Sequence, residues 1–284
     1  MSAVAVPRRR SDARSTRRRL ADVAVDGGLT GWAVLVYAVL YLPIAVVVLY
    51  AFNDSRQVAV WNGFGTRWWG IAWADTAIVD ALVLSVWTAA ANAVLATVLG
   101  TAAALGLRNA GPRIRVGVDA LLFSALVVPE IVIAIASLLF FSTTVPSLLG
   151  PTAIVLTHAV FNTSVVALIC RARLANTDRV AEEAAMDLGA ARWETFRRVT
   201  LPLLLPAIAA GFLLAFTFSF DDVVLSTFVS TAGSSTLPLA IFSELRFGLS
   251  PKANVIATSM LGVTLVAVIT AQLLLRRGRL EGSR

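Results

Sequence analysis

Six long apolar stretches dominate the pattern of hydrophobic and polar positions along the chain. Each is close to or above the 20 or so residues that a helix needs to cross the hydrocarbon core of a bilayer. The second and fifth stretches are long enough to tilt or to extend past it. The pattern therefore predicts six transmembrane helices, at residues 32–52, 78–107, 116–141, 152–170, 202–229 and 254–275.

Basic residues are distributed unevenly between these stretches. If the chain crosses the membrane six times, 20 of its 24 Lys and Arg residues lie on the same side as both termini. Lys and Arg near span ends collect on the cytoplasmic side, so both termini are predicted to be cytoplasmic. The basic tail 1–31 is predicted to be disordered and to lie on anionic lipid headgroups, and residues 276–284 form a second cytoplasmic tail.

The composition fits a membrane protein and leaves few groups for catalysis. Hydrophobic residues make up 58% of the chain, charged residues only 14%, and the mean hydropathy is +0.80. The net charge of +7 would suggest a nucleic-acid partner in a soluble protein, but topology accounts for it here, and no nucleic acid is expected. A single cysteine and a single histidine predict no disulfide, no metal site and no cofactor.

The loop at residues 53–77 contains four tryptophans. Because tryptophan favours the boundary between membrane and water, the loop is predicted to contain a short helix on the outer surface. Stacking of a ligand on these rings is the alternative.

The cytoplasmic segment between the fourth and fifth spans differs abruptly in composition, reading VAEEAAMDLGAARWETFRRVTLP from residue 180. It predicts a short helix ending near Gly189, where a left-handed residue is commonly needed, and a second helix that starts at Ala190. Trp193 and Phe196 would share one face of the second helix, with Arg192 toward water. A solvated amphipathic loop is the simpler interpretation.

The spacing of Glu183-Ala184-Ala185, Gly189, Val199 and Leu201-Pro202 resembles the EAA signature of permease subunits in ATP-binding-cassette (ABC) importers. The one departure is Val199, where isoleucine is commoner. The resemblance implies an all-α, six-span permease domain at residues 32–275 with the type I importer (MetI-like) fold, in a bacterial plasma (inner) membrane. Segment 179–200 would be its coupling helix, docking on a separate ATPase subunit. The expected docking residues are Glu183, Ala184, Ala185, Gly189, Arg192 and Phe196.

Motifs inside the spans narrow the resemblance to spermidine/putrescine permeases, and their order is similar to the C-type subunit of the permease pair. They read YLPIAVVVLYAFNDS, VPEIVIAIASLLFF, FTFSFDDVVLSTFVS and STLPLAIFSELRFGLSPKANVIAT. The resemblance implies half of a polyamine pathway, completed by a second related permease and supplied by an extracytoplasmic solute-binding protein. The chain is not expected to be an enzyme, because it lacks the G-x-x-x-x-G-K-[ST] phosphate loop and its only lysine is Lys252.

Three carboxylates lie away from the ends of the predicted spans, where ionisable groups cost several kcal/mol and mark candidate functional sites, whereas Asp80 and Asp119 lie at span ends. On straight helices, Glu130 would lie about 21 Å from the inner end of its span and the Asp221–Asp222 pair about 28–30 Å. We predict that Glu130, Asp221 and Asp222 line the substrate pathway. Alternatively, an aspartate caps a broken helix or pairs with a partner's arginine, and Glu130 repairs backbone bonds disrupted by Pro129. His158 is expected to be a packed, hydrogen-bonded core residue.

Two other functions remain open on the sequence. The same permease class could carry another cargo, such as thiamine, iron, a phosphonate or another anion. An ATP-independent transporter or channel could relay protons or cations through Glu130 and Asp222, although that hypothesis does not explain the EAA segment.

Overall fold

The computed structural model describes residues 11–58, 60–175, 180–247 and 251–281. Within these residues the backbone forms twelve α-helices and no β-strand beyond one isolated bridge. In chain order the helices are α1 (Ser11–Tyr50), α2 (Arg67–Ala74), α3 (Thr76–Arg108), α4 (Pro112–Val127), α5 (Glu130–Thr144), α6 (Pro151–Ala175), α7 (Val180–Asp187), α8 (Arg192–Thr195), α9 (Leu201–Phe220), α10 (Val224–Val229), α11 (Leu237–Phe247) and α12 (Pro251–Glu281).

The all-α prediction is confirmed, and the apolar helices follow the predicted order. Among the described residues, five helical segments are long and apolar enough to span a membrane, and the α4–α5 pair makes a sixth if it counts as one bent span. The five are Gly28–Tyr50, Thr76–Arg108, Pro151–Ala175, Arg192–Phe220 and Pro251–Thr270.

Helix α1 begins upstream of the first span. The backbone is helical from Ser11, over part of the segment that the sequence predicted to be disordered. The reason is local, because residues 13–25 are rich in Arg and Ala, which are good helix formers. The first ten residues of the predicted tail, and the last three of the chain, lie outside the described residues.

Helices α3, α6 and α9 pack together and hold the largest buried cluster of the protein. Small residues make this close approach possible. A Cβ at Gly100 of α3 would lie 2.7 Å from Cβ of Val166 and 2.8 Å from the carbonyl oxygen of Thr163, both in α6. A Cβ at Gly211 of α9 would lie 3.1 Å from Cγ1 of Val166. The side chain of Val166 therefore packs between Gly100 of α3 and Gly211 of α9.

The third span is not the continuous helix that the sequence predicted. Helix α4 ends at Val127, α5 begins at Glu130, and the two are bent by 104°. Pro129 explains the break, because proline donates no backbone hydrogen bond and disfavours helical backbone at the residue before it. Val128 accordingly has extended φ and ψ angles of −64° and 128°. The straight-helix depth expected for Glu130 does not apply.

The fifth span is also interrupted. Helix α9 ends at Phe220 and the six-residue α10 begins at Val224, so the predicted helix over 202–229 is two helices. The two acidic residues Asp221 and Asp222 occupy the break. At its other end, α9 continues back through one π-helical turn, so that the helix runs without interruption from Arg192 to Phe220.

On the side of the spans away from α7, an ion-pair cluster ties three helices together. The short helix predicted in the tryptophan-rich loop is present as α2. Asp75, between α2 and α3, accepts a 2.6 Å hydrogen bond from Nζ of Lys252 in α12, which also donates to Glu244 of α11 at 3.2 Å. The hydrogen bond from Lys252 lowers the pKa of Asp75 below its usual value.

Candidate functional site

The EAA segment forms the helix–turn–helix that its sequence predicts. After α7, Gly189 has a φ of +90°, and the N–H of Ala190 donates to the carbonyl of Ala185 at 3.0 Å. This is the Schellman arrangement, which needs a left-handed residue at the position that Gly189 occupies. Helix α8 then leads through the π-helical turn into α9.

The predicted docking residues lie on a largely exposed surface of this segment. Glu183, Ala184, Gly189 and Arg192 are exposed, and Ala185 and Phe196 are half-buried. Two apolar side chains stand out beside them, since Leu188 is 90% exposed and Trp193 is 70% exposed. In the second helix Trp193 therefore faces outward, with its ring centroid 5.5 Å from that of Phe196. The surface combines apolar groups with charge.

Glu182, which the sequence indicates can contact a cation but which is not among the predicted docking residues, connects the segment to the membrane helices. Its Oε1 accepts 2.7 Å hydrogen bonds from Nη1 of Arg108, at the end of α3, and from Oγ1 of Thr200, just before α9. The side chains of Arg108 and Glu182 are only 14% and 16% exposed. A partner 74 residues away leaves no trace in a local sequence pattern.

The second candidate site is a cavity of about 610 Å³ at the breaks in the third and fifth spans. Helices α5 and α10, which each follow a break, pack against one another. Glu130, Asp221 and Asp222 all line the cavity, together with His158 and Asn162 of α6. The structure thus brings the three predicted pathway carboxylates together, and Glu130 lies within interaction range of both aspartates.

Asp222 is buried and its carboxylate is occupied by the protein. Its Oδ1 accepts the backbone N–H of Leu225 at 3.3 Å, and its Oδ2 accepts that of Ser226 at 2.8 Å. Asp222 therefore caps the first turn of α10, the role that aspartate commonly has at helix starts. Asp222 is thus an aspartate that caps a broken helix, which is one of the alternatives that the sequence left open.

His158 provides a further contact to Asp222. It is 1% exposed, with Nε2 3.1 Å from Oδ2 of Asp222 and Nδ1 2.6 Å from Oγ of Ser219. An ionised carboxylate can only accept, so Nε2 carries the proton and a neutral ring accepts at Nδ1 from Ser219. The prediction of a packed, hydrogen-bonded histidine is confirmed, but its partnership with a pathway carboxylate was not foreseen.

Glu130 and Asp221 differ from Asp222 in their exposure. Both side chains are exposed at the cavity, Glu130 in the first turn of α5 and Asp221 directly after α9. An acidic residue in the first turn of a helix is favoured by the helix dipole, which accounts for the position of Glu130. No hydrogen bond within the described residues links Glu130 to the backbone around Pro129. Two acidic side chains are therefore exposed at the cavity, Asp221 and Glu130, and Glu130 is also hydrogen-bonded to Asp222.

The sequence is similar to those of known transport proteins. Residues 96–279 match the family described as "Binding-protein-dependent transport system inner membrane component". The chain is 38% identical over 254 residues to the putrescine transport system permease protein PotI of Escherichia coli strain K12, covering 87% of this chain and 90% of that one. It is 37% identical over 246 residues to the spermidine/putrescine transport system permease protein PotC of the same strain, covering 87% and 93%.

A solved structure has the same fold. The chain resembles a bacterial ABC transporter involved in the import of the acidic polysaccharide alginate, with a TM-score of 0.73 and 15% sequence identity. The match covers 92% of this chain and 99% of that one. The predicted permease fold is confirmed.

Proposed function

This chain belongs to the family of binding-protein-dependent transport system inner membrane components, and from that premise we propose that it is the permease subunit of an ATP-driven polyamine importer. It forms half of the substrate pathway and catalyses no reaction. The observation that carries the choice of cargo is the 37–38% identity to two polyamine permeases over 87% of the chain.

The cavity chemistry supports a cationic cargo. Spermidine and putrescine are polyamines whose ammonium groups need oxygen acceptors and negative charge when they leave water. Glu130 and Asp221 offer such groups at the cavity, and opposite charges attract strongly where the surroundings have a low dielectric constant. Acidic groups at this position weigh against phosphonates and other anions.

The exposed docking segment supports a partner that hydrolyses ATP. Leu188 and Trp193 expose apolar surface beside Glu183 where the docking segment meets the start of the Arg192–Phe220 helix, and the sequence has no phosphate loop of its own. A separate ATPase subunit would cover this surface and move it as ATP binds. The distribution of basic residues supports a cytoplasmic location for this segment and for both termini.

Two further partners complete the assembly. A second, related permease subunit supplies the other half of the pathway, and the C-type motif order favours a heterodimer. An extracytoplasmic solute-binding protein delivers the cargo to the loops at residues 53–77 and 230–253. Lipid surrounds the outer helices, which expose many large apolar side chains such as Leu35 and Leu40 of α1.

Uptake by the reconstituted complex tests the cargo. The permease is purified with its co-expressed ATPase, second permease and binding protein, and radiolabelled spermidine or putrescine uptake into proteoliposomes is measured. We expect uptake that requires ATP on the ATPase side. Absence of uptake of both polyamines, with ATPase activity intact, would overturn the polyamine assignment. Uptake without ATP would instead favour an ATP-independent transporter.

Charge reversal tests the docking segment. Glu183→Arg, at an exposed position of α7, should abolish co-purification of the ATPase. Asp54→Arg makes the same change in charge at an exposed position in the loop beyond the other end of the spans, and should leave co-purification unchanged. An ATPase that still co-purifies with the Glu183→Arg permease would refute docking through this residue.

A further inference from the structure

The hydrogen bonding of the helix changes where the docking segment joins α9. In the turn Phe196–Thr200 the backbone is π-helical, and the N–H of Leu201 donates to the carbonyl of Phe196, five residues earlier. No other π-helical turn occurs in the part of the chain that the structure describes. Because π turns are rare and often lie at functional sites, this turn calls for a physical explanation.

Pro202 lowers the free energy that this irregular turn costs. It is the second residue of α9 and has no N–H, so it donates to no carbonyl of the turn before it. In an α-helix the carbonyl that lacks this donor would be that of Arg198, and in a π-helix it would be that of Arg197. One hydrogen bond is therefore missing in either arrangement. The π form of the turn consequently costs little more than the α form, and we expect the two forms to exchange.

A hydrogen bond between two side chains crosses the π turn. Thr200 lies at the α9 end of the turn, and its Oγ1 donates to Oε1 of Glu182, in α7, at 2.7 Å. The backbone between these two residues runs through α8 and the whole π turn. Thr200 is buried, so the bond is largely shielded from water. A large rotation of the docking segment about the axis of α9 would break this bond.

A change from the π to the α form would rotate the docking segment in this way. Hydrogen bonds join residues five apart in a π turn and four apart in an α turn, so the change shifts one side of the turn by one residue. This shift corresponds to a rotation of up to about 100°, the angle between successive residues of an α-helix. Trp193, which is exposed just before the turn, would then face a different direction, while α9 keeps its packing against α3 and α6.

We propose that the turn Phe196–Thr200 is a rotary joint, which changes from π- to α-helical hydrogen bonding when the ATPase moves the docking segment, and that the Glu182–Thr200 bond holds it in the π form. The inference rests on the proposed function, in which a separate ATPase subunit drives the permease. It assigns the rotation of the docking segment to one turn of one helix. A tilt of the segment still reaches the spans, because the helix continues on both sides of the joint.

Two proline variants separate the joint from the rest of α9. Pro202→Ala restores an N–H that can donate to the carbonyl of Arg198, and it therefore favours the α form of the turn. Pro206→Ala restores an N–H four residues later, inside α9 and beyond the joint, and serves as the control. Both variants replace a proline of the same helix by alanine.

Hydrogen–deuterium exchange measures the joint in the purified complex of both permeases and the ATPase, without nucleotide and with a non-hydrolysable ATP analogue. In the wild type and in Pro206→Ala, exchange over residues 196–201 should differ about threefold or more between the two states, because hydrogen bonds there are remade. In Pro202→Ala, exchange should be slow in both states. Equal exchange in the two states of the wild type would overturn the proposal.

Locking the joint gives a second test, which does not depend on the proline variants. Glu182→Cys and Thr200→Cys are joined by a short reducible cross-linker in a Cys170→Ala background, and ATP hydrolysis by the complex is measured before and after reduction of the same sample. The locked joint should lower the rate of hydrolysis about fivefold or more, and reduction should restore it. Equal rates in the locked and the reduced sample would overturn the proposal.

Failure of the proposed function gives a different result from failure of the joint. A permease with which no ATPase co-purifies would remove the proposed function, and the joint with it. A complex that hydrolyses ATP and takes up polyamine, but whose exchange over residues 196–201 does not respond to the ATP analogue, would overturn the joint alone.

Discussion

The guanidinium group of Arg108 lies 2.7 Å from the carboxylate of Glu182, and this ion pair joins the end of α3 to the docking helix α7. The same carboxylate oxygen accepts from Thr200 at 2.7 Å, immediately before α9. Glu182 therefore connects the docking segment to two of the three helices that form the packed centre of the protein. Its neighbour Glu183 remains exposed and available to a partner.

Breaking the Arg108–Glu182 pair should uncouple the two regions. Glu182→Gln or Arg108→Gln is expected to destabilise the folded state by about 1–3 kcal/mol, because each leaves a largely buried charge with fewer partners. Uptake per ATP hydrolysed should fall while the ATPase still co-purifies. Glu194→Gln is the control, since Arg198 beside it is 77% exposed and such surface pairs contribute little. Equal effects of Glu182→Gln and Glu194→Gln would contradict this role.

His158 should be coupled energetically to Asp222. His158→Phe removes the donor to Asp222 and the acceptor for Ser219, and is expected to destabilise the protein by about 1–3 kcal/mol. His158→Gln retains an N–H donor and should lose less. Thermal unfolding of His158→Phe, Asp222→Asn and the double variant measures the coupling. Strictly additive changes would show that the 3.1 Å contact contributes nothing.

Gly100 should not tolerate a side chain. Its missing Cβ would lie 2.7 Å from Val166 and 2.8 Å from a backbone oxygen, so Gly100→Ala forces α3 and α6 apart and should destabilise by about 1–3 kcal/mol. Gly106→Ala is the matched change in the same helix, where no atom lies within 4 Å of the added group. It should be neutral or stabilising. Similar unfolding temperatures for the two variants would refute close packing at Gly100.

The Asp75–Lys252 pair should make stability depend on pH. The lowered pKa of Asp75 means that its contribution to stability is fully present at neutral pH and is lost as the pH falls past the ordinary aspartate range and through the lower folded-state pKa. Asp75→Asn keeps a residue that can accept from Ala77 at the start of α3 but removes the charge. The difference in unfolding temperature between wild type and Asp75→Asn should shrink from about pH 7 to about pH 3. A difference that is constant with pH would count against the pair.

The hydropathy pattern was sufficient to predict the spans because helices that cross a bilayer must be long and apolar whatever they pack against. It could not predict their bends. Pro129 predicts a break in the third span. The 104° angle between α4 and α5 also depends on the packing of α5 against α10, which the sequence does not show. The break in the fifth span follows from Asp222, whose carboxylate satisfies the N–H groups of Leu225 and Ser226. The sequence alone does not show which of the adjacent residues Asp221 and Asp222 caps α10 and which is exposed.

The candidate sites likewise contain some features that the sequence predicts and others that only the fold reveals. The turn at Gly189 is predictable because a positive φ angle is a local property of the backbone that glycine adopts most readily. The partners of Glu182 are residues far away in the chain, and no local pattern contains them. His158 was correctly predicted to be a hydrogen-bonded core residue, yet only the fold reveals that its partner is Asp222.

The unbroken helix from Arg192 to Phe220 has a mechanical consequence. One end lies in the docking segment and the other meets the cavity at Asp221, about 40 Å apart at the rise of an α-helix. Such a helix acts as a lever: a tilt of only about 10° about one end moves the other by roughly 7 Å. Force applied by an ATPase at Trp193 would reach the acidic cavity through one continuous helix, in which the π-helical turn and Pro206 are the points that bend most easily.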